Sequence, residues 1–456
     1  MYCGYVTTLK NVRQHPNADR MKLADCFGNT VCVGLDAAEG DIVIYFPTDG
    51  QLSVEYATKN DLVRRKDSAG NNCGGYLDPE KRNIRAIKLR GEKSDGLTMP
   101  LESLAYTGIK MEELTIGTQI TVVNGHEICQ KYIPYSAPKT SAGGAGTRAH
   151  RRAKRSVAPL FFEHADTEQL AYNLSAFKPG DEIEITLKMH GTSQRTAYVP
   201  VLKGYKRTLW DKIMRREGTP LYEYGYVSGT RRVVLDSYDG GFYGSNEFRE
   251  QHSKTFEGKL WKGETVYYEV VGFTHTGAPI MASADNKKIS DKEFTKQYGA
   301  ETVFSYGCAP FAQKLTLGEY YEECHAAKPQ SDIYVYRMTM TNEDGNVVEY
   351  TPDFMRYRCE QMGVKTVPVF CKIVVTGGFD HDGCPYGVAD EVRDLAESFY
   401  DGPDPIGKTH VREGVVVRIL NRPKFTAYKH KNFHFKVLEG IIKDTAIAPD
   451  MEEAQE

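Results

Sequence analysis

Across residues 1–134, apolar and polar positions alternate in short runs broken by turn residues, the period-two signature of half-buried strands. Residues 21–27 and 30–33 flank Gly28-Asn29, which predicts a two-residue hairpin turn. Residues 41–46 (DIVIYF) predict a buried strand and residues 84–89 (IRAIKL) an alternating one. A set of short strands of this kind predicts closure into a small β-barrel.

Residues 135–159 change character. They are rich in Ser, Gly, Ala and Pro and carry Lys139, Arg148, Arg151, Arg152, Lys154 and Arg155, a composition expected of a flexible connector with a basic half, either solvated or touching RNA. From residue 160 to 456 strands and helices mix. Residues 182–187 (EIEITL) alternate as a strand, and Asp344-Gly345 predicts a hairpin between residues 333–341 and 347–350. Helices are expected at 208–216, started by Thr208 and Asp211, and at 290–298, started by Ser290 and Glu293 and stopped by Gly299. Val388, Val392, Leu395 and Phe399 form one apolar helical face. The expected class is α+β, in three parts: 1–134, the connector 135–159, and 160–456.

Composition narrows the function. A net charge of -3 over 456 residues excludes a globally basic protein, so any nucleic-acid surface must be a local patch. Ten cysteines without a C-x-x-C pair fit a reduced, cytoplasmic protein better than a disulfide scaffold or zinc site. No apolar run reaches membrane-spanning length, and the start MYCGYVTTLK lacks the apolar stretch of a signal peptide.

The chemistry centres on Lys188-Met189-His190-Gly191-Thr192-Ser193, at the end of the 182–187 strand. A lysine beside a small-residue turn suits an amine that attacks phosphorus, because glycine lets a phosphate approach the backbone. Such an amine must first lose its proton. Four further segments follow in order: 266–272 (VYYEVVG), 333–339 (IYVYRMT), 413–418 (EGVVVR) and 429–435 (KHKNFHF). Glu269 sits on a strand where a carboxylate can accept sugar hydroxyls. Tyr334 and Tyr336 share a face by alternation, so pattern alone leaves both as candidates for a stacking ring. Lys429 and Lys431 also share a face and suit charge on a phosphate.

This ordered set resembles the covalent nucleotidyltransferase superfamily, and the KxHGT variant with K-x-K-N-x-x-F resembles its phage-type, ATP-dependent, nick-sealing RNA ligases. The resemblance implies an adenylyltransferase domain of ATP-grasp-like antiparallel sheets plus helices. It makes Lys188 the residue that takes AMP, Lys429 and Lys431 catalytic, and Glu413 the ligand of Mg2+ or Mn2+. It assigns nucleotide contacts to His190, Gly191, Arg231 (with Arg232 close behind), Glu269 and Tyr336. Related ligases often carry glutamate where this chain has Leu187. The phrase His15-Pro16-Asn17-Ala18-Asp19-Arg20 resembles the opening of tRNA-binding OB domains, and residues 90–97 (RGEKSDGL) resemble the N-terminal OB-like domain of a ligase subgroup. The expected partner is RNA with 3′-OH and 5′-phosphate ends, as a nicked duplex or broken tRNA, in RNA repair.

Two decoys and two alternatives need weighing. Residues 402–409 (GPDPIGKT) match the P-loop pattern, but a helix precedes them, Pro403 and Pro405 lack donors, and Asp404 would repel phosphate. Asp380-His381-Asp382 reads as a polar turn rather than a metal site. Lys203, Lys206, Arg207, Lys212, Arg215 and Arg216 surround Trp210, either as a second RNA contact or as a solvated helix burying Leu209 and Ile213. The enzyme alternative is an mRNA-capping guanylyltransferase, disfavoured because such enzymes usually place an OB domain after the last motif. The other is a non-catalytic RNA-binding adaptor, disfavoured because all the reactive residues are present.

Overall fold

The computed structural model describes residues 2–66, 72–132, 157–164, 167–208, 210, 214, 218–231, 233–235, 238, 246–310, 328–379, 385–441 and 444. Most of the 135–159 connector, Arg232, the 380–382 turn and most of the 208–216 helix lie outside them. The chain divides into two units: one from Met1–Pro138, Asp285–Ala300 and Phe433–Glu456, the other from Lys139–Ala284 and Glu301–Asn432. Among the described residues no helix is long and apolar enough to cross a membrane. The eight described cysteines are unbridged.

In the first unit, β1 (Gly4–Thr8), β2 (Ile42–Phe46), β3 (Leu97–Pro100) and β4 (Gln119–Ile120) form an antiparallel sheet in the order β3-β2-β1-β4. Ile44 and Phe46 of the expected buried strand join Val6, Leu52, Tyr56 and Leu104 in its core. Two expectations need correction. The hairpin turn is Phe27-Gly28, since Cys26 pairs with Asn29 and both turn residues have positive φ (50° and 77°). The 84–89 stretch breaks at Arg85: Asn83–Ile84 pairs with Gly50–Leu52, and Ala86–Leu89 with Glu92–Asp95. Such partner changes leave several small sheets, and no closed barrel forms among the described residues. Residues 285–300, assigned by sequence to the C-terminal part, contribute to this unit. Their helix Lys292–Tyr298 is capped by Asp291, not Ser290, whose hydroxyl donates to Asp444. Phe294 packs on His434, and Lys288 donates to the Leu438 carbonyl.

The second unit is built on two mainly antiparallel sheets. One runs Glu168–Gln169, then β12 (Thr426–Lys431), β11 (Gly414–Ile419), β5 (Asp181–Leu187) and β10 (Val369–Val375). The other runs Val234–Leu235, β7 (Thr219–Thr230), β6 (Thr192–Lys206), β8 (Glu264–Gly272), β9 (Ser331–Thr341) and Val347–Glu349. Alternation explains what each buries. Ile183 and Ile185 of β5, with Val415 and Val417 of β11, pack against Val388, Val392 and Ala396 of α3 (Val388–Tyr400). In the second sheet Val266, Tyr268 and Val270 face a core with Phe248 and Phe256, while α1 (Glu247–Lys254) supplies Phe248. The helix α2 (Pro352–Met362) starts at Thr351, which accepts from the Phe354 N–H, has proline in its first turn, and stops at left-handed Gly363. The expected Asp344-Gly345 hairpin joins β9 to Val347–Glu349, with Gly345 at φ 83°.

Candidate active site

The residues left over by these two cores face each other. Glu184 and Thr186 alternate with the buried isoleucines of β5 and lead to Lys188, while Val416 and Arg418 do the same on β11. Glu269 on β8 and Tyr336 on β9 come from the other sheet. Together these residues line an open cleft, to which Arg231, Arg356 and Phe425 also contribute.

Glu413 is not among the lining residues but contacts one of them, Lys188. This glutamate is 2% exposed, and its Oε1 meets Lys188 Nζ at 2.6 Å and Lys431 Nζ at 3.0 Å. Burial alone would raise its carboxyl, but the charges of Lys188 and Lys431, with His190 nearby, hold it well below the ordinary carboxylate range. Its other oxygen, Oε2, is buried without a hydrogen-bond partner among the described residues, and His190 Nδ1 stands 3.6 Å away. Backbone geometry explains the placement: the Lys188 N–H donates to the Gly414 carbonyl. A Cβ on Gly414, which has φ 142°, would lie 2.1 Å from the His430 carbonyl oxygen, so only glycine lets β11 and β12 pair there.

Lys429 and Lys431 lie on the same face of β12 as Ala427, which lines the cleft, and Lys429 pairs with the cleft residue Val416. His190 sits beneath the turn rather than among the lining residues. Its N–H donates to the Tyr306 hydroxyl at 2.7 Å, and its ring meets Phe304 edge-on. Gly191 packs against β8, where a Cβ would come within 2.4 Å of the Val270 carbonyl oxygen.

On the opposite wall, burial lifts the Glu269 carboxyl to about 7; Lys188 and Arg231 oppose that rise and the Glu413 charge adds to it. Register separates the two tyrosines that alternation left equivalent. A bulge opposite Tyr267/Tyr268 turns Tyr336 into the cleft, where its hydroxyl bonds Ser193 at 2.9 Å. Tyr334 is buried beside Asp332 and Lys365 instead. Arg231 is held from behind: the buried Arg195 guanidinium donates to the Thr230 and Arg231 carbonyls and lies over Phe161.

Sequence reasoning missed Glu184, Arg356 and Arg418, which line the cleft, and Arg356 pairs with Glu184 at 2.8 Å. Counting back in twos from Lys188 would have flagged Glu184. The P-loop decoy is a loop between α3 and β11, as expected. Its Ile406 and Gly407 N–H groups donate to Asp404 of the same loop, and Lys408 does not line the cleft.

No protein-family model and no curated protein matches the chain. Its fold, however, is similar over nearly its whole length to solved structures of the RNA ligase of Naegleria gruberi. A lysine-to-alanine variant with ATP and manganese gives a TM-score of 0.52 at 14% identity, covering 96% of this chain and 98% of that one. The ligase with pyrophosphate gives 0.50 at 14%, covering 95% and 97%. A ligand-free aspartate-to-alanine variant gives 0.52 at 14%, covering 96% and 97%. At such identity the likeness speaks to fold alone: this chain has the sheet-rich α+β fold of an RNA ligase.

Proposed function

We propose that this chain is an ATP-dependent RNA ligase that seals 3′-OH and 5′-phosphate RNA ends through lysyl-AMP and RNA-adenylate. The observation that carries the reading is the sharing of Glu413 Oε1 by Lys188 and Lys431 beside a cleft walled by Glu269 and Tyr336. In the first step Lys188 Nζ, having lost its proton, attacks the α-phosphorus of ATP, the bond to pyrophosphate breaks, and pyrophosphate leaves. In the second, an RNA 5′-phosphate oxygen attacks that phosphorus and the lysine is released. In the third, the 3′-OH attacks the activated 5′-phosphorus and AMP leaves.

Tyr336 stacks on adenine, Glu269 accepts from the ribose hydroxyls with Arg231 beside it, and Lys429 and Lys431 offset phosphate charge. Glu413 suits Mg2+ or Mn2+, because a buried carboxylate oxygen without a hydrogen-bond partner is a hard donor for such a cation. When bound there, the cation would neutralise phosphate charge and compete with the Lys188 amine for Glu413. Residues 1–134 serve to position RNA in a cytoplasmic RNA-repair enzyme.

The test is transfer of label from α-labelled ATP or GTP to the protein with magnesium. Label from ATP on Lys188 is expected; label from GTP alone would favour the capping alternative, and no label at all would favour the adaptor.

A further inference from the structure

The outer half of the β6–β7 ribbon plays no part in the chemistry above. At its root both faces are covered: Ala197, Val199 and Val227 belong to one core, and Tyr198 and Tyr226 pack on another. Farther out, Lys203, Tyr205, Lys206, Leu221 and Tyr222 are exposed. Pairing sets their faces. Tyr198 opposes Tyr226, Pro200 opposes Tyr224, and Leu202 opposes Tyr222, all on one side; the bulge at Lys203 then brings Tyr205 onto that side opposite Pro220.

The result is a row of rings leading away from the core. Tyr198 and Tyr226 stack at 4.7 Å, Tyr224 lies 5.6 Å from Tyr198, and Lys262 Nζ stands 4.9 Å over Tyr224. Next in sequence to Lys262, the 48%-exposed Trp261, with Arg358 3.9 Å over its ring, opens a second group that includes Phe354 and the 53%-exposed Tyr357 on α2. Exposed aromatic surface of this extent marks an interaction site. Its charge selects the partner: the described residues 200–208 and 218–224 hold three basic side chains, Lys203, Lys206 and Arg207, against the single acidic Glu223, in a chain of net charge -3, which suits a polyanion.

We propose that this strip is a platform for unpaired RNA, a reading that rests on the RNA ligase assignment above. Bases stack on Tyr205, Tyr222, Trp261 and Tyr357 while Lys262 over Tyr224 neutralises phosphate, and Lys203 and Lys206, on the other face of the ribbon, meet the backbone as it wraps the ribbon's edge. Duplex RNA is the lesser fit, because its paired bases hide their faces and offer only phosphates and 2′-hydroxyls. β6 starts at Thr192, just after the Lys188 turn, and Tyr205 stands roughly 40 Å along it at the strand's rise per residue. The platform therefore grips RNA away from the break and selects ends flanked by unpaired nucleotides.

The test uses the full chain with Tyr205→Ala/Tyr222→Ala, Lys203→Glu/Lys206→Glu and, as a ring-preserving control, Tyr222→Phe. Binding of a fluorescent single-stranded oligouridylate and of a blunt RNA duplex is measured, together with lysyl-AMP formation from ATP. The alanine pair should weaken oligouridylate binding about tenfold or more, leave duplex binding and lysyl-AMP formation unchanged, and Tyr222→Phe should bind as the parent does. The lysine pair should also flatten the salt dependence of oligouridylate binding. Unchanged oligouridylate affinity, or an equal loss on the duplex, would overturn the platform. If the parent protein itself forms no lysyl-AMP, the ligase reading fails, a result distinct from failure of the platform.

Discussion

Glu413 holds the Lys188 and Lys431 nitrogens on one oxygen, at 2.6 and 3.0 Å. In the proposed reaction Lys188 must turn from Glu413 to the α-phosphorus, so the loss of that contact belongs to the first step. Glu269 is tuned in the opposite direction. Its carboxyl titrates at about 7 rather than 4.5, so below neutrality it carries a proton and loses acceptor capacity. The apparent KM for ATP in lysyl-AMP formation should therefore fall as pH rises through about 7. Glu269→Gln should weaken ATP binding about tenfold and flatten that pH profile; a profile unchanged in the variant would remove Glu269 from the nucleotide site. Lys188 and Glu413 sit just outside their strands and were legible through the ordered motifs, whereas Glu184 and Arg418, on β5 and β11 where alternation could be counted, were not assigned. Tyr306 and Arg356 were not assigned either, because a loop and a helix distant in sequence bring them to the site.

At the scale of elements, two structural devices hold the walls. Gly414→Ala would force a Cβ onto the His430 carbonyl and a φ that other residues avoid, at a cost of about 3 kcal/mol. Its urea midpoint should fall and labelling by ATP should fail, whereas Gly204→Ala, where a Cβ meets nothing within 4 Å, should change neither. On the opposite wall the fully buried Glu264 accepts from Arg358 at 2.9 and 2.8 Å and from Tyr350 at 3.0 Å, tying α2 to β8. Glu264→Ala leaves Arg358 buried and unpaired, and should cost about 3–5 kcal/mol in a denaturant titration. The strands and helices were largely legible from period and caps. The departures have local causes: Asp291, one residue after Ser290, takes the cap, and the 84–89 strand changes partner at a position that hydrophobic pattern does not mark.

At the scale of the whole molecule, the division of the chain was the least legible feature. Residues 285–300 and 433–438 join the first unit through packing such as Phe294 on His434 and Lys93 over Phe433, contacts between segments too distant in sequence for local pattern to reveal. The two sheets of the second unit were expected in kind, but the order of their strands follows from pairing across hundreds of residues, as Ile183 with Ile419 shows.

Global stability should also respond to acid through His252. Burial lowers its pKa from 6.5 to about 4, with Asp332 opposing, so it stays neutral in the fold while the unfolded chain takes up a proton below 6.5. Its contribution is present above 6.5 and is lost as pH falls towards 4, a swing of about 3 kcal/mol. His252→Gln should shrink the difference between urea titrations at pH 7 and pH 4; an equal difference in the variant would rule His252 out as the source.

The most direct test of the central claim compares the parent protein with Lys188→Ala, both given α-labelled ATP and magnesium and, separately, pre-adenylylated RNA. The parent should become covalently labelled at Lys188, and the variant should take no label yet still seal the pre-adenylylated RNA, because only the first step uses the amine. Covalent label persisting on Lys188→Ala, or an unlabelled parent, would contradict the account.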